Sequence, residues 1–86
     1  MPKKNLLFIE TRNSYLRERY ESVLRYILGS NYELEEHSRK FISHDGEADE
    51  RYYTRFKMMV TKSEEEFIRN EIHKMGYPNY IFGGAR

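Results

Sequence analysis

Arginine, lysine, histidine and aromatic residues are concentrated in one stretch of the chain, residues 32–62. The stretch contains two segments of extended character separated by an acidic loop, DGEADE. Guanidinium and ammonium groups bind phosphate oxygens, and aromatic rings stack on nucleobases. When alternate positions are grouped, the residues able to do this chemistry fall on one side: His37, Arg39, Phe41, Tyr53, Arg55 and Lys57.

A β-hairpin would hold these residues on one surface, because side chains alternate between the two faces of a strand. We predict strand 2 over residues 32–44 and strand 3 over residues 51–62, with Asp45-Gly46 opening the turn. The even-numbered positions should face the core, since they hold Tyr32, Leu34, Ile42, Tyr52, Phe56, Met58 and Val60. Polar residues interrupt this side at Glu36, Ser38 and Lys40. We therefore expect the distal half of the hairpin to extend past the helices into solvent.

The flanking segments predict two more strands and two helices. The apolar run of residues 6–9 predicts a strand over residues 5–11 that is buried on both faces. Apolar residues at helical spacing predict helix 1 over residues 15–28, with Asn13 or Ser14 as N-cap and Gly29 as C-cap. Ser63 and Glu66 predict a capping box for helix 2. Gly76 should end this helix, followed by a turn at 77–79, a short strand at 80–82 and a loose tail at 83–86.

The resulting order, β-α-β-β-α-β, is that of the ferredoxin-like α+β fold. In this arrangement the sheet is antiparallel and four-stranded, strands 1 and 3 are central, and both helices cover one face. The other face stays open, and it carries the basic and aromatic residues of the hairpin. The parity of strand 1 is ambiguous, so Phe8 can lie on either face.

The open face favours a hypothesis of RNA binding. Tyr53, with Phe41 beside it, would stack on bases, while Arg39, Arg55, Lys57 and His37 would contact phosphates. The arrangement resembles the sheets of RRM proteins in architecture. It lacks their strand-3 signature, because residues 51–62 contain no Gly or Ala.

A protein-binding function is the alternative interpretation. An uncovered sheet with apolar residues such as Phe41, Tyr53 and Met59 is typical of an association surface. The chain would then be a small regulator or inhibitor, acting through this face or the hairpin arm, as a monomer or a homodimer. The acidic loop at the hairpin tip suits a protein partner better than a phosphate backbone.

The remaining candidate residues predict no catalytic or metal site. Glu10 lies at the end of strand 1, where a carboxylate can serve in acid–base or nuclease chemistry, but no partner residues accompany it. The acidic loop lacks the spacing of a calcium-binding EF-hand. His37 and His44 are seven residues apart on one strand and so face opposite sides. We therefore predict a non-enzymatic protein without a metal or other cofactor.

Composition narrows the class of protein further. The 86 residues suit one domain, and 15 Lys and Arg against 14 Asp and Glu leave a net charge of +1. Any electrostatic function must therefore come from uneven placement of charge. The chain has no cysteine, and none of its apolar runs is long enough for a signal peptide or a membrane span. These features predict a soluble, cytoplasmic protein.

Overall fold

The computed structural model describes residues 3–75 and 80–84. Four strands and two helices follow one another as β1 (Asn5–Thr11), α1 (Ser14–Leu28), β2 (Glu33–Ile42), β3 (Ala48–Val60), α2 (Lys62–His73) and β4 (Tyr80–Gly83). The strands form one antiparallel sheet in the order β2-β3-β1-β4. The predicted ferredoxin-like α+β fold is confirmed.

One face of the sheet packs against both helices. Leu7 and Ile9 of β1 lie opposite Met58 and Phe56 of β3, and all four are buried. The helices add the rest of the core, namely Leu16, Tyr20, Leu24 and Leu28 of α1 with Ile68 and Ile72 of α2. The even-numbered side of β3 is therefore the core side, as its apolar alternation predicts.

Strand β1 is central but is not buried on both faces, so that part of the prediction is wrong. Leu7, Ile9 and Thr11 face the helices, whereas Leu6, Phe8 and Glu10 occupy the alternate positions. Leu6 is exposed and Phe8 is half-buried. An apolar run without alternation predicts burial but not which parity faces the core.

Local hydrogen bonds define where each helix begins. Asn13 is the N-cap of α1, and its side-chain oxygen accepts from the backbone N–H groups of Tyr15 and Leu16 at 2.9 and 3.1 Å. Helix α2 begins two residues earlier than predicted. Its capping box pairs Thr61 with Glu64, through hydrogen bonds of 2.8 and 3.2 Å, instead of Ser63 with Glu66.

The β2–β3 hairpin extends well beyond the helices. The molecule measures 53 × 23 × 21 Å, and its radius of gyration is 14.6 Å, against about 12 Å expected for a compact domain of this length. Pairing of β1 with β3 ends at Thr11 and Thr54. Ile42 and Tyr52, which were assigned to the core side, lie on the extension and are exposed. The loop itself is short, with Gly46 at a φ of 80°.

The C-terminal strand is held against β1. Its pairing places Phe8 opposite Phe82, and the backbone N–H of Gly84 donates to the carbonyl oxygen of Leu6 at 2.7 Å. Gly83 and Gly84, which were predicted to lie in a loose tail, are therefore bound to β1. The predicted cap at Gly76, the turn at 77–79 and residues 85–86 lie outside the described residues. Within residues 3–75 and 80–84, neither helix is long and apolar enough to cross a membrane.

Candidate functional site

The uncovered side of the sheet, here called the open face, carries all six predicted site residues. Tyr53, Arg55 and Lys57 alternate along β3 with the buried Thr54, Phe56 and Met58. Strand pairing sets His37 beside Tyr53, and Glu10 beside Arg55. Arg39 and Phe41 continue the same side of β2 onto the hairpin extension, where they pair with Arg51 and Asp49.

Glu10 lies at the centre of this face and neutralises part of its positive charge. Two nitrogens of the Arg55 guanidinium lie 2.8 Å from its Oε2, and Arg39 donates to Oε1 at 3.4 Å. Glu10 is only 9% exposed. The hydrogen bond to Glu10 raises the pKa of Arg55 above its ordinary value, so the guanidinium stays charged. Its charge is therefore directed at a carboxylate of the same chain.

The ring of Tyr53 is already packed against neighbouring side chains. The His37 ring stacks on it with centroids 5.4 Å apart, and the Arg39 guanidinium lies 4.7 Å from its centroid. His37 in turn contacts the carboxylate of Glu35 at 3.2 Å. These contacts with its own chain already occupy the ring of the proposed stacking residue, which leaves it poorly placed to receive a base.

A small cavity lies where the hairpin extension meets the end of β1. We call it the arginine cavity; it has a volume of about 80 Å³ and is lined by Glu10, Thr11, Arg12, Arg39, Phe41, Arg51, Tyr53 and Tyr80. The Arg51 and Arg12 guanidiniums lie 4.9 and 5.8 Å from the centroid of the Phe41 ring. Such cation–π contacts hold guanidinium groups in place while leaving their N–H edges available.

The opposite end of the open face is apolar. Leu6 pairs with Met59 across β1 and β3, and the Phe8 and Phe82 rings stack with centroids 5.5 Å apart. Leu6, Met59 and Phe82 are 38%, 48% and 41% exposed. We call these four residues the apolar end. Lys57, the sixth predicted residue, pairs with Phe8 at its edge.

Sequence reasoning missed Glu10 as the partner of Arg55 and missed Arg12 and Arg51 in the cavity. Glu10 follows Ile9 and therefore lies on the opposite face of β1. Predicting that it meets Arg55 also requires the register of β1 against β3. Arg51 has the same parity as Tyr53 and Arg55, so extending the alternation by one step would have included it. In the part of the chain that the structure describes, no three His, Cys, Asp or Glu residues form a group that could hold a metal ion.

Several solved structures share the fold at low sequence identity. The periplasmic divalent cation tolerance protein CutA from Archaeoglobus fulgidus aligns with a TM-score of 0.65 and 16% identity, over 93% of this chain and 80% of that chain. CutA1 from the psychrotrophic bacterium Shewanella sp. SIB1 aligns with a TM-score of 0.66 and 12% identity, over 95% and 79%.

The B. subtilis GlnK–ATP complex aligns with a TM-score of 0.65 and 17% identity, over 96% of this chain and 82% of that chain. At these identities the likeness establishes the fold, a ferredoxin-like α+β chain of the kind found in CutA1 and GlnK. No protein-family model and no curated protein matches the sequence.

The predicted nucleic-acid-binding function is wrong. The similar structures reported above are divalent cation tolerance proteins and GlnK, and none of their names indicates nucleic-acid binding. They do not support the alternative of a regulator or inhibitor either. The geometry agrees with this correction, because Arg55 and Arg39 contact Glu10, and Tyr53 is covered by His37. Alternation of residues along each strand grouped the positive side chains on one face, but it did not reveal that the Glu10 carboxylate lies between them.

Proposed function

We propose that this protein acts without catalysis, as a subunit of a homo-oligomer whose open face is buried against another copy. The observation that carries the proposal is the apolar end. Leu6, Phe8, Met59 and Phe82 form a contiguous patch on a sheet face that neither helix covers. Burial of such a patch contributes roughly 25 cal/mol for each Å² removed from water.

The charged part of the open face is also suited to burial in an interface. Burying a charge that has no partner is costly, whereas a carboxylate that is already hydrogen-bonded needs no new partner. Glu10 has both of its oxygens in contact with Arg55 and Arg39 before any second copy arrives. This internal pairing supports association between identical faces, which would otherwise place like charges against each other.

The same pairing argues against acid–base catalysis by Glu10. A general base needs an available oxygen within reach of the proton it removes. The Oε2 atom of Glu10 is held by two nitrogens of Arg55, and Arg39 contacts Oε1. The Glu10 carboxylate therefore has a structural role as the partner of Arg55 and Arg39.

A reducing, cytoplasmic environment is part of the proposal, since the 86 residues contain no cysteine and rely on no disulfide.

Mass measurement in solution tests the proposal. Sedimentation equilibrium of the unmodified chain should give a multiple of its 10.5 kDa mass. The double variant Leu6→Glu, Met59→Glu should sediment as a monomer with an unchanged circular dichroism spectrum, because it places two carboxylates in the apolar patch. A monomeric unmodified protein, or a double variant that keeps its mass, would refute the proposal.

Tyr15→Glu provides the matched control. Tyr15 is an exposed aromatic residue, but it lies in the first turn of α1 and not on the open face. A glutamate there also suits the positive end of the helix dipole. We expect the Tyr15→Glu variant to retain the oligomeric mass of the unmodified protein.

A further inference from the structure

The tip of the hairpin carries an unbalanced negative charge. Asp45 and Glu47 are exposed, and within residues 3–75 and 80–84 no ion pair engages their carboxylates. Asp49 differs, since Arg51 donates to it at 3.2 Å. The short loop and the strands on both sides hold the two carboxylates of Asp45 and Glu47 beyond the last strand pair of the hairpin, Ile42 with Ala48.

The arginine cavity has the opposite character. Arg12 and Arg51 are exposed at its rim, where Arg51 donates through Nε to Asp49, and Arg39 is shared between Glu10 and the Tyr53 ring. Within the described residues, Arg12 makes no ion pair, and its guanidinium lies over the Phe41 ring. The volume of about 80 Å³ equals that of two to three liquid waters, which suits a carboxylate group.

We propose that the acidic tip of one copy docks into the arginine cavity of a second copy. Guanidinium groups bind carboxylates through paired N–H donors, and such hydrogen bonds are stronger than those between neutral groups. The inference deepens the proposed function, because it rests on self-association through the open face and names a second contact within it.

The tip cannot occupy the cavity of its own chain. Arg39 and Arg51 are cross-strand partners, and Asp45 lies six residues further along the hairpin. At about 3.3 Å per residue, Glu47 lies roughly 13 Å from Arg51, and Asp45 roughly 20 Å from Arg39, along a continuous two-stranded ladder. The complementary charges of one chain are therefore kept apart and can meet only between chains.

The contact joins two different patches, which restricts the symmetry of the assembly. Two copies related by a twofold axis can exchange tips reciprocally, and a closed ring with an even number of copies can pass each tip to the next copy. Each tip then fills one cavity. The charged part of the contact should also weaken with added salt, because its residues are exposed before association.

Charge reversal on each side tests the contact. One variant carries Asp45→Lys and Glu47→Lys at the tip, and the other carries Arg12→Glu and Arg51→Glu in the cavity. Each variant alone should self-associate at least about tenfold more weakly than the unmodified protein, because like charges then face each other. An equimolar mixture should recover association, since each reversed tip meets a reversed cavity and each native tip a native one.

A double variant on α1 and α2, Glu18→Lys with Glu66→Lys, controls for the change of net charge in the tip variant. Both positions are exposed and lie on helices, away from the open face. It should associate like the unmodified protein. Circular dichroism of every variant should show that the fold is retained.

The outcomes separate this inference from the proposed function. If the unmodified chain is oligomeric, Leu6→Glu with Met59→Glu dissociates it and the tip variant associates normally, tip docking is overturned while burial of the apolar end stands. If the tip and cavity variants are both weakened but their mixture does not recover, tip docking is likewise overturned. Recovery in the mixture supports it.

Discussion

The Glu10–Arg55 pair should stabilise the monomer fold much more than an exposed ion pair of the same length. The side chains of Glu10 and Arg55 are 11% and 26% exposed, with a nitrogen–oxygen distance of 2.8 Å. Arg17 and Glu36 form a pair of the same 2.8 Å length, but their side chains are 42% and 54% exposed. The two pairs therefore differ mainly in how much water screens them.

The expected magnitudes follow from this difference. A hydrogen bond to a charged group contributes about 1.5–3 kcal/mol, and an exposed ion pair about 0–1 kcal/mol. Because Arg55 keeps about a quarter of its surface in water, we expect a Glu10–Arg55 coupling of about 1.5 kcal/mol. Glu10→Gln alone should cost about 2 kcal/mol, since it also leaves Arg55 without its counter-charge, and lower the melting temperature by about 10 °C.

Double-mutant cycles in urea measure both couplings. One cycle uses Glu10→Gln and Arg55→Gln, and the control uses Glu36→Gln and Arg17→Gln. Glutamine keeps an oxygen at position 36 for the hydroxyl of Thr54, which donates to Glu36. All variants need the same protein concentration, because association adds to apparent stability. Equal coupling energies in the two cycles would refute the role assigned to burial.

Three further predictions concern the backbone, a helix cap and pH. Gly83→Ala should destabilise the protein more than Gly46→Ala in urea, because both glycines have positive φ but only a Cβ at Gly83 would lie 2.5 Å from the carbonyl oxygen of Leu6; equal losses would contradict this. Thr61→Ala should cost about 1 kcal/mol in thermal unfolding by removing the helix cap, and no loss would count against the capping box. Burial raises the pKa of Tyr20, so the folded chain holds this proton more tightly than the unfolded chain. Stability should therefore fall as pH rises above the ordinary tyrosine value, and less steeply in Tyr20→Phe.

Local patterns in the sequence were sufficient to predict the elements and their order. The apolar spacing of residues 15–28, Asn13 before it and Gly29 after it define α1 within a few neighbouring residues. The predicted N-cap of α2, Ser63, was wrong because two residue pairs satisfy the capping-box pattern, Thr61 with Glu64 and Ser63 with Glu66. The structure selects the first because β3 ends at Val60 and the helix follows immediately.

The site could be predicted only in part, because its charges meet through distant strand pairing. Alternation along the hairpin was enough to place Arg39, Tyr53 and Arg55 on one face. Glu10 is 45 residues from Arg55 along the chain, and their contact depends on the register of β1 against β3. A face that looks basic when each strand is read separately is therefore partly neutralised once the strands are assembled.

The hairpin extension also has a consequence for the timescale of local motion. From the His37–Tyr53 pair to the Ile42–Ala48 pair, β2 and β3 form a ribbon of two strands, and no other strand among the described residues pairs with it. A two-stranded ribbon alone is only marginally stable in water. Its backbone amides should therefore exchange with solvent through local opening, long before those of the central strands. If the extension is covered on the self-association proposed above, protection of these amides should rise with protein concentration. Their exchange rates would then measure assembly.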